Sequence, residues 1–321
     1  MLDPRRLWPG ETPYDGPLAF IDLDSADPWF RDIALPACPV IGIGDRTHPL
    51  ATKLDTVIEP PASAAAIERQ VLAHPRAAAV AVELLRLLRG VPAEQGLVAE
   101  SLAYGLLQGS AEHAAWLAQR PRAAPRPDGR VEVRREGDVL TVTLAAPKAD
   151  NAIDRPMRDV LREAFALAAA DLEIRHIRLR GEGRCFSLGA ELGEFGTTRD
   201  PATAHAIRRL TLPAPMLLRC SDRLEAHVQG ACVGAGLEMA AFALRLTAAP
   251  DAWFQLPELA MGLLPGAGGC VSLSRRIGRQ RTALLILSGR RLSARRALDW
   301  WLVNAIVDEP PGDDRGADVD G

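Results

Sequence analysis

The chain has 321 residues, 48% of them hydrophobic, which is enough for one large domain or two modest ones around a buried core. Its 38 basic and 41 acidic residues leave a formal charge of −3, so no electrostatic footprint for nucleic acid or an anionic membrane surface is present. The five cysteines, Cys38, Cys185, Cys220, Cys232 and Cys270, are widely spaced and odd in number, which argues against a secreted disulfide framework and a zinc motif.

In chain order, the opening MLDPRRLWPGETPYDG carries acids and prolines where a signal peptide needs an apolar run, and no stretch approaches the ~20 apolar residues of a membrane span. A soluble, cytoplasmic protein is expected. Two β-like runs, LAFIDLD at 18–24 and PVIGIGD at 39–45, precede an Ala/Leu-rich region over 62–119. AIERQVLA, RAAAVAVELLRLLRG and AEQGLVAESLAYGLLQGS there show three-to-four spacing of apolar residues and predict three helices, punctuated by Gly90, Pro92 and Gly109. PRAAPRPDG at 121–129 packs three prolines and a glycine into nine residues and marks a linker. This gives an N-terminal region over 1–120, a main domain over 130–308, and an acidic, Pro/Gly-rich tail from 309 that is expected to be disordered.

Within the main domain, VEVRREGDVLTVTLAA alternates as two strands about a Glu-Gly-Asp turn, and Asp154 or Arg155 opens a helix with Pro156 in its first turn. Strand IRHIRLRG at 174–181, a helix near 201–210, strand LEAHVQG, helix GLEMAAFALRL and a strand in or at the end of LRLTAA follow. Strands alternating with helices predict an α/β fold built from stacked ββα units.

Two loops could meet a ligand closely. RCFSLGAELGE at 184–194 brings a small Gly-Ala pair after a strand, and QGACVGAGLEMAAFA from Gln229 sets Gly234, Ala235 and Gly236 between a strand and an apolar helix. Free N–H groups at such a turn can stabilise negative charge developing on a substrate oxygen, although either loop alone also reads as plain strand-to-helix punctuation. Glu238 lies in the first helical turn, where the helix dipole alone accounts for an acid. Glu258, in FQLPELAMGLLPGAGG, sits after Pro257 in an apolar run, where a charge is costly unless exposed or used. Two carboxylates at one site can divide the work of activating water and transferring a proton.

The ordered set PKADNAIDRPM, GRCFSLGAELGEF, VQGACVGAGLEMA, LPELAMGLLPGAGG and GRRLSARRALDWWLVNAIVDE resembles the enoyl-CoA hydratase/isomerase (crotonase) superfamily over roughly 131–309, with the two glutamates twenty positions apart. The resemblance implies a crotonase-like stacked ββα superhelix with an additional mainly helical N-terminal region. It implies an acyl-CoA thioester substrate and a lyase activity, addition of water to the 2,3-double bond. The backbone N–H groups of Ala190 and Ala235 would form the oxyanion hole, with Glu238 deprotonating the water and Glu258 delivering a proton to Cα. Lys148, Ala149, Ala152 and Gly189 match the coenzyme A contacts. Ala235 stands where the family usually has Gly, and Glu191 where it usually has Asp, the latter expected to be structural. The resemblance further implies a trimer or dimer of trimers and no metal or redox cofactor beyond the coenzyme A of the substrate. The histidines at 48, 74, 113, 176, 205 and 227 form no ligand or triad spacing. Double-bond isomerisation, thioester hydrolysis, decarboxylation, or a non-catalytic binding subunit are the alternatives on the same scaffold.

Members of the superfamily normally continue past the strand matched by LVNAIVDE into a helical C-terminal segment. Here the chain ends instead, while the helices over 62–120 resemble that segment. A circular-permutation-like order is therefore expected, with those helices docked where the C-terminal ones usually lie.

Overall fold

The computed structural model describes residues 1–11, 14–27, 32–120 and 128–309, so residues 121–127 of the linker and the tail beyond 309 lie outside the described residues. Both expected N-terminal runs form strands, β1 (Ala19–Asp22) and β2 (Val40–Ile43). They pair in parallel with each other and with a short β3 (Thr56–Val57), burying Ile21, Val40 and Ile41 completely. Four helices follow where three were expected: α1 (Ala64–Ala73), α2 (Pro75–Leu87), α3 (Ala93–Gln108) and α4 (Ala111–Gln119). The fourth starts because Ser110 Oγ accepts from His113 N at 3.1 Å, a side-chain cap that resets the helix after Gly109.

The main domain begins with the hairpin β4 (Val131–Glu136) and β5 (Val139–Leu144), turned at Gly137 with φ +60°. Leu140, Val142 and Leu144 alternate into the core, as the period-two pattern requires. Asp154 then caps α5 (Arg155–Ala170), accepting from Met157 N at 3.0 Å, with Pro156 in the first turn. The chain continues through β6 (His176–Gly181), α6 (Pro201–Thr211), an unexpected α7 (Ala214–Arg219), β7 (Leu224–Val228), β8 (Ala231–Val233) and α8 (Ala235–Ala240). Next come β9 (Arg245–Ala248), β10 (Trp253–Gln255), α9 (Gly269–Ile277), α10 (Arg279–Ser288), β11 (Leu292–Ser293), α11 (Ala294–Asp299) and β12 (Ala305–Ile306).

A six-stranded sheet runs β12-β9-β7-β6-β5-β4, parallel except for the β4–β5 hairpin, and a three-stranded sheet runs β11-β10-β8. The expected stacking is visible in the topology. β7 and β8 join different sheets before α8, and β9 and β10 repeat the step before α9. One expectation is corrected: the helix read over GLEMAAFALRL stops at Ala240. Phe242 N and Ala243 N bond to Met239 O and Ala240 O, tightening the last turn, and Arg245–Ala248 is pulled into the sheet between β7 and β12.

The N-terminal helices share the main core. Val71, Leu85 and Leu97 belong to the same buried cluster as Leu273 and Leu285. α10 contacts α1, α2 and β3, and α3 contacts α6, α7 and α9. Wholly buried Asp55 ties the regions further, through Arg86 at 2.6 Å and Arg279 at 3.3 Å.

Candidate active site

Gly234 ends β8 with φ +48° and ψ −125°, a conformation that glycine alone adopts readily, and so starts α8 immediately. Glu238, one turn on, is 2% exposed; its Oε2 accepts from Ala267 N at 2.6 Å and Gly269 N at 2.8 Å. Glu258 opens a 3-10 turn, Glu258–Met261, that closes at Gly262. It too is buried, and its Oε2 has no hydrogen-bond partner among the described residues. Glu258 approaches the Gly-Ala-Gly turn so closely that a Cβ on Gly234 would lie 2.6 Å from its Oε1. Burial pushes the Glu238 carboxyl up to about 7, against the pull of the N–H groups of Ala267, Gly269 and Gly266. Burial raises Glu258 well above the ordinary range, and the charges of Glu238 and Glu100 add to the rise.

Glu100 is a third buried carboxyl, which the sequence reading missed. It projects from α3, is 2% exposed, and accepts from Gly268 N at 2.6 Å and Cys270 N at 2.8 Å at the start of α9. Burial, then the charge of Glu238, holds its pKa well above the usual range, opposed by those N–H groups. The signal was in the spacing. Leu97, Glu100, Ser101 and Tyr104 fall at helical intervals, so the acid lies on the face that packs inward.

The segments of Ala190 and Ala235 lie side by side. Ile153 N donates to Gly189 O at 2.8 Å and Glu191 N to Ile153 O at 2.9 Å, bracketing Ala190, whose own N–H meets no acceptor among the described residues. The same holds for Ala235 N at the start of α8. The segments abut at Gly189, φ +92°, where a Cβ would sit 2.9 Å from Val233 O and 3.4 Å from Ala235 N. Ser187 and Asn151 hold this arrangement. Ser187 Oγ donates to Asn151 O and accepts from Gly189 N, while Asn151 Nδ2 donates to the carbonyls of Glu182, Cys185 and Phe186. Both residues lay inside the quoted motifs without being assigned a role.

Ala190, Ala235, Glu238 and Glu258 line one cavity of about 430 Å³, together with Gly189, Leu188, Met239 and the α3 side chain Tyr104. That size and mixed lining suit a small-molecule site. Lys148, Ala149 and Ala152 do not line it. Lys148 is exposed on a 3-10 turn, Pro147–Ala149, and the two alanines are buried. Their loop reaches the cavity at Ile153. Glu191 accepts from Gly193 N at 2.8 Å, capping the turn Leu192–Glu194, and also lines the cavity. Among the described residues no three His, Cys, Asp or Glu side chains cluster as a metal site would need, and no helix is long and apolar enough to cross a membrane.

The family model for enoyl-CoA hydratase/isomerase matches residues 134–311, more than half of the chain and the whole of this cavity's main-domain wall. The chain belongs to the enoyl-CoA hydratase/isomerase family. Within it, the chain is 36% identical to a mevalonyl-coenzyme A hydratase of Beauveria bassiana over 53% of its own length and 64% of that protein. It is 33% identical to a 2,3-dehydroadipyl-CoA hydratase of Escherichia coli over 54% of its length and 68% of that protein. Among solved structures, an enoyl-CoA hydratase from Thermoplasma volcanium superposes with a TM-score of 0.51 at 34% identity, covering 56% of this chain and 72% of that one. The chain thus spans a little under two thirds of the first of these relatives, and the matches leave its N-terminal region unaccounted for.

Proposed function

We propose that this family member is an acyl-CoA lyase of the hydratase type, adding water across the 2,3-double bond of an enoyl-CoA thioester. The observation that carries this is the pair of buried glutamates on one cavity wall beside two unpaired, adjacent backbone N–H groups. As water adds to Cβ, negative charge moves onto the thioester oxygen. Two fixed donors at Ala190 and Ala235 lower the barrier where that charge builds, and fixed donors need no reorganisation. The glutamates differ in the way the proton traffic requires. Glu238, pushed to about 7, can be ionised near neutral pH and takes a proton from water, its Oε2 being held by Ala267 and Gly269. Glu258, raised by burial and by the charges of Glu238 and Glu100, favours its protonated form and delivers a proton to Cα. The named activities of the relatives, hydrations of several acyl-CoA thioesters, support the reaction class.

In this reading the N-terminal helices close the acyl site in place of the family's usual C-terminal ones. The bond from Cys270 N at the start of α9 to Glu100 of α3, and His113 Nδ1 2.9 Å from Met261 O, are the supporting contacts. Coenzyme A contacts at Lys148, Ala149, Ala152 and Gly189, a trimeric or twice-trimeric assembly, and a cytoplasmic setting belong to the same proposal. Hydration of crotonyl-CoA and longer enoyl-CoAs tests it, read as loss of the conjugated-thioester absorbance. Glu238→Gln and Glu258→Gln should each lower kcat by at least roughly 100-fold. In the wild type, kcat/KM should rise as pH passes about 7, where Glu238 gives up its proton. Isomerisation that survives Glu238→Gln, with no hydration of any enoyl-CoA, would refute the hydratase assignment.

A further inference from the structure

The cavity that holds the two glutamates is also walled by α3 and α6, through Tyr104 and Gln108 on one and Ala204, Ile207 and Arg208 on the other. Three arginines line this cavity, and two have an acid beside them: Arg155 lies 3.7 Å from Glu194 and Arg158 lies 2.7 Å from Asp159. Arg208 does not. Its Nε donates to Ser101 Oγ at 3.2 Å and its Nη2 to Ser101 O at 2.8 Å. Nη1 donates to Gln108 Oε1, and the guanidinium lies 4.6 Å from the centre of the Tyr104 ring. Every one of these partners is neutral, and no carboxylate oxygen lies within 4 Å among the described residues. Glu100 attracts it only through space, with its own oxygens engaged by the start of α9.

A half-buried cation held only by neutral groups is costly, and a guanidinium offers five N–H donors, of which three are used here. Burial accordingly lowers the Arg208 pKa, so the site would gain by receiving a negative charge. The acceptors that hold Arg208 in place come from α3, and the residue faces the same cavity as the proposed thioester site.

We propose that Arg208, with Gln108 and Tyr104 beside it, receives a carboxylate at the far end of the substrate's acyl chain, so that the preferred substrates are thioesters of dicarboxylic acids. This rests on the reading of the cavity as an acyl-CoA site. A carboxylate seated there supplies the counter-charge that the protein omits, and the planar fork of arginine suits it better than a lysine would.

The test compares saturated six-carbon thioesters, hexanoyl-CoA and adipyl-CoA, by titration calorimetry on the full chain, alongside hydration of the two matching 2-enoyl-CoAs. Wild type should bind adipyl-CoA roughly 10- to 100-fold more tightly, the span of one charge-assisted hydrogen-bonded contact. Arg208→Gln should erase that ratio, and Arg208→Lys should keep part of it. Equal binding of the two thioesters by wild type, or a parallel weakening of both in Arg208→Gln, would overturn the inference and leave Arg208 as a tie between α3 and α6. If Arg208→Gln does not fold, the wild-type ratio and Arg208→Lys decide alone. Hydration of both enoyl-CoAs without a preference defeats this inference only. A preference in binding without hydration of either defeats only the hydratase assignment.

Discussion

Glu100→Ala isolates what the N-terminal region does for the site. The carboxylate accepts from Gly268 N at 2.6 Å, Cys270 N at 2.8 Å and Val271 N at 3.4 Å, so its removal strands buried donors in the first turn of α9. Leaving each of the two short-bonded N–H groups unpaired costs about 1–3 kcal/mol, or about 2–6 kcal/mol together. Loss of a carboxyl that burial and Glu238 already disfavour offsets part of this, and a net loss of about 2–4 kcal/mol is expected. That is a large share of the ~5–15 kcal/mol typical of a whole domain. Urea unfolding should show the midpoint falling with an unchanged slope. The same strip of backbone, through Ala267 and Gly269, provides the N–H groups that hold Glu238 down. Loosening it should move the acidic limb of kcat/KM above pH 7. A midpoint within ~0.5 kcal/mol of wild type, the usual span for an inconsequential surface change, together with an unmoved limb, would refute the argument.

Two further outcomes follow from the buried carboxyls and the glycine turn. Glu238, Glu258 and Glu100 all have folded pKa values above the ordinary 4.5, so the folded chain holds protons that the unfolded chain releases. Their contribution to stability is therefore complete below about pH 4.5 and is lost as pH rises through the folded values. For Glu238 the loss spans 4.5 to about 7 and amounts to roughly 3 kcal/mol at most, so chemical-denaturation stability should fall over that range and fall less in Glu238→Gln. Gly234→Ala puts a Cβ 2.6 Å from Glu258 Oε1 at φ +48°. A stability loss of about 1–3 kcal/mol and a fall in kcat of at least roughly 100-fold are expected, and a variant with wild-type turnover would show that the turn relaxes freely.

The main domain was legible because its signals are local. Alternation in VLTVTL, the Asp154 cap with Pro156, and the two Gly-Ala turns each specify their own stretch of backbone, and the structure forms them where the sequence placed them. What could not be read depends on partners distant in the chain. α8 was read too long because the apolar run GLEMAAFALRL overlaps the strand expected in LRLTAA, and nothing local marks that the helix stops at Ala240 before Arg245–Ala248 joins β7 and β12. Glu100 was visible as an acid on an apolar helical face, but its partners are 168 and 170 positions away. Arg208 was hidden for another reason: in a chain with only two lysines, Lys53 and Lys148, arginine is the default cation and its presence alone says nothing.

The N-terminal helices show why chain order and site construction can separate. What seats α3 is a set of groups indifferent to the direction from which the chain arrives. Glu100 meets the buried N–H groups at the start of α9, the Tyr104 ring lies where a Cβ on Gly266 would intrude at 2.1 Å, and Ser101 holds Arg208. The contacts bind side chains of one helix to helix ends and glycines of another, and a connecting loop of any path that spans the distance would permit them. Cleavage within 121–127 would therefore leave the helices docked if these contacts hold them, with the two fragments co-purifying and activity retained. Dissociation of the 1–120 fragment under native conditions would show instead that the covalent link, and not the packing, keeps the site closed.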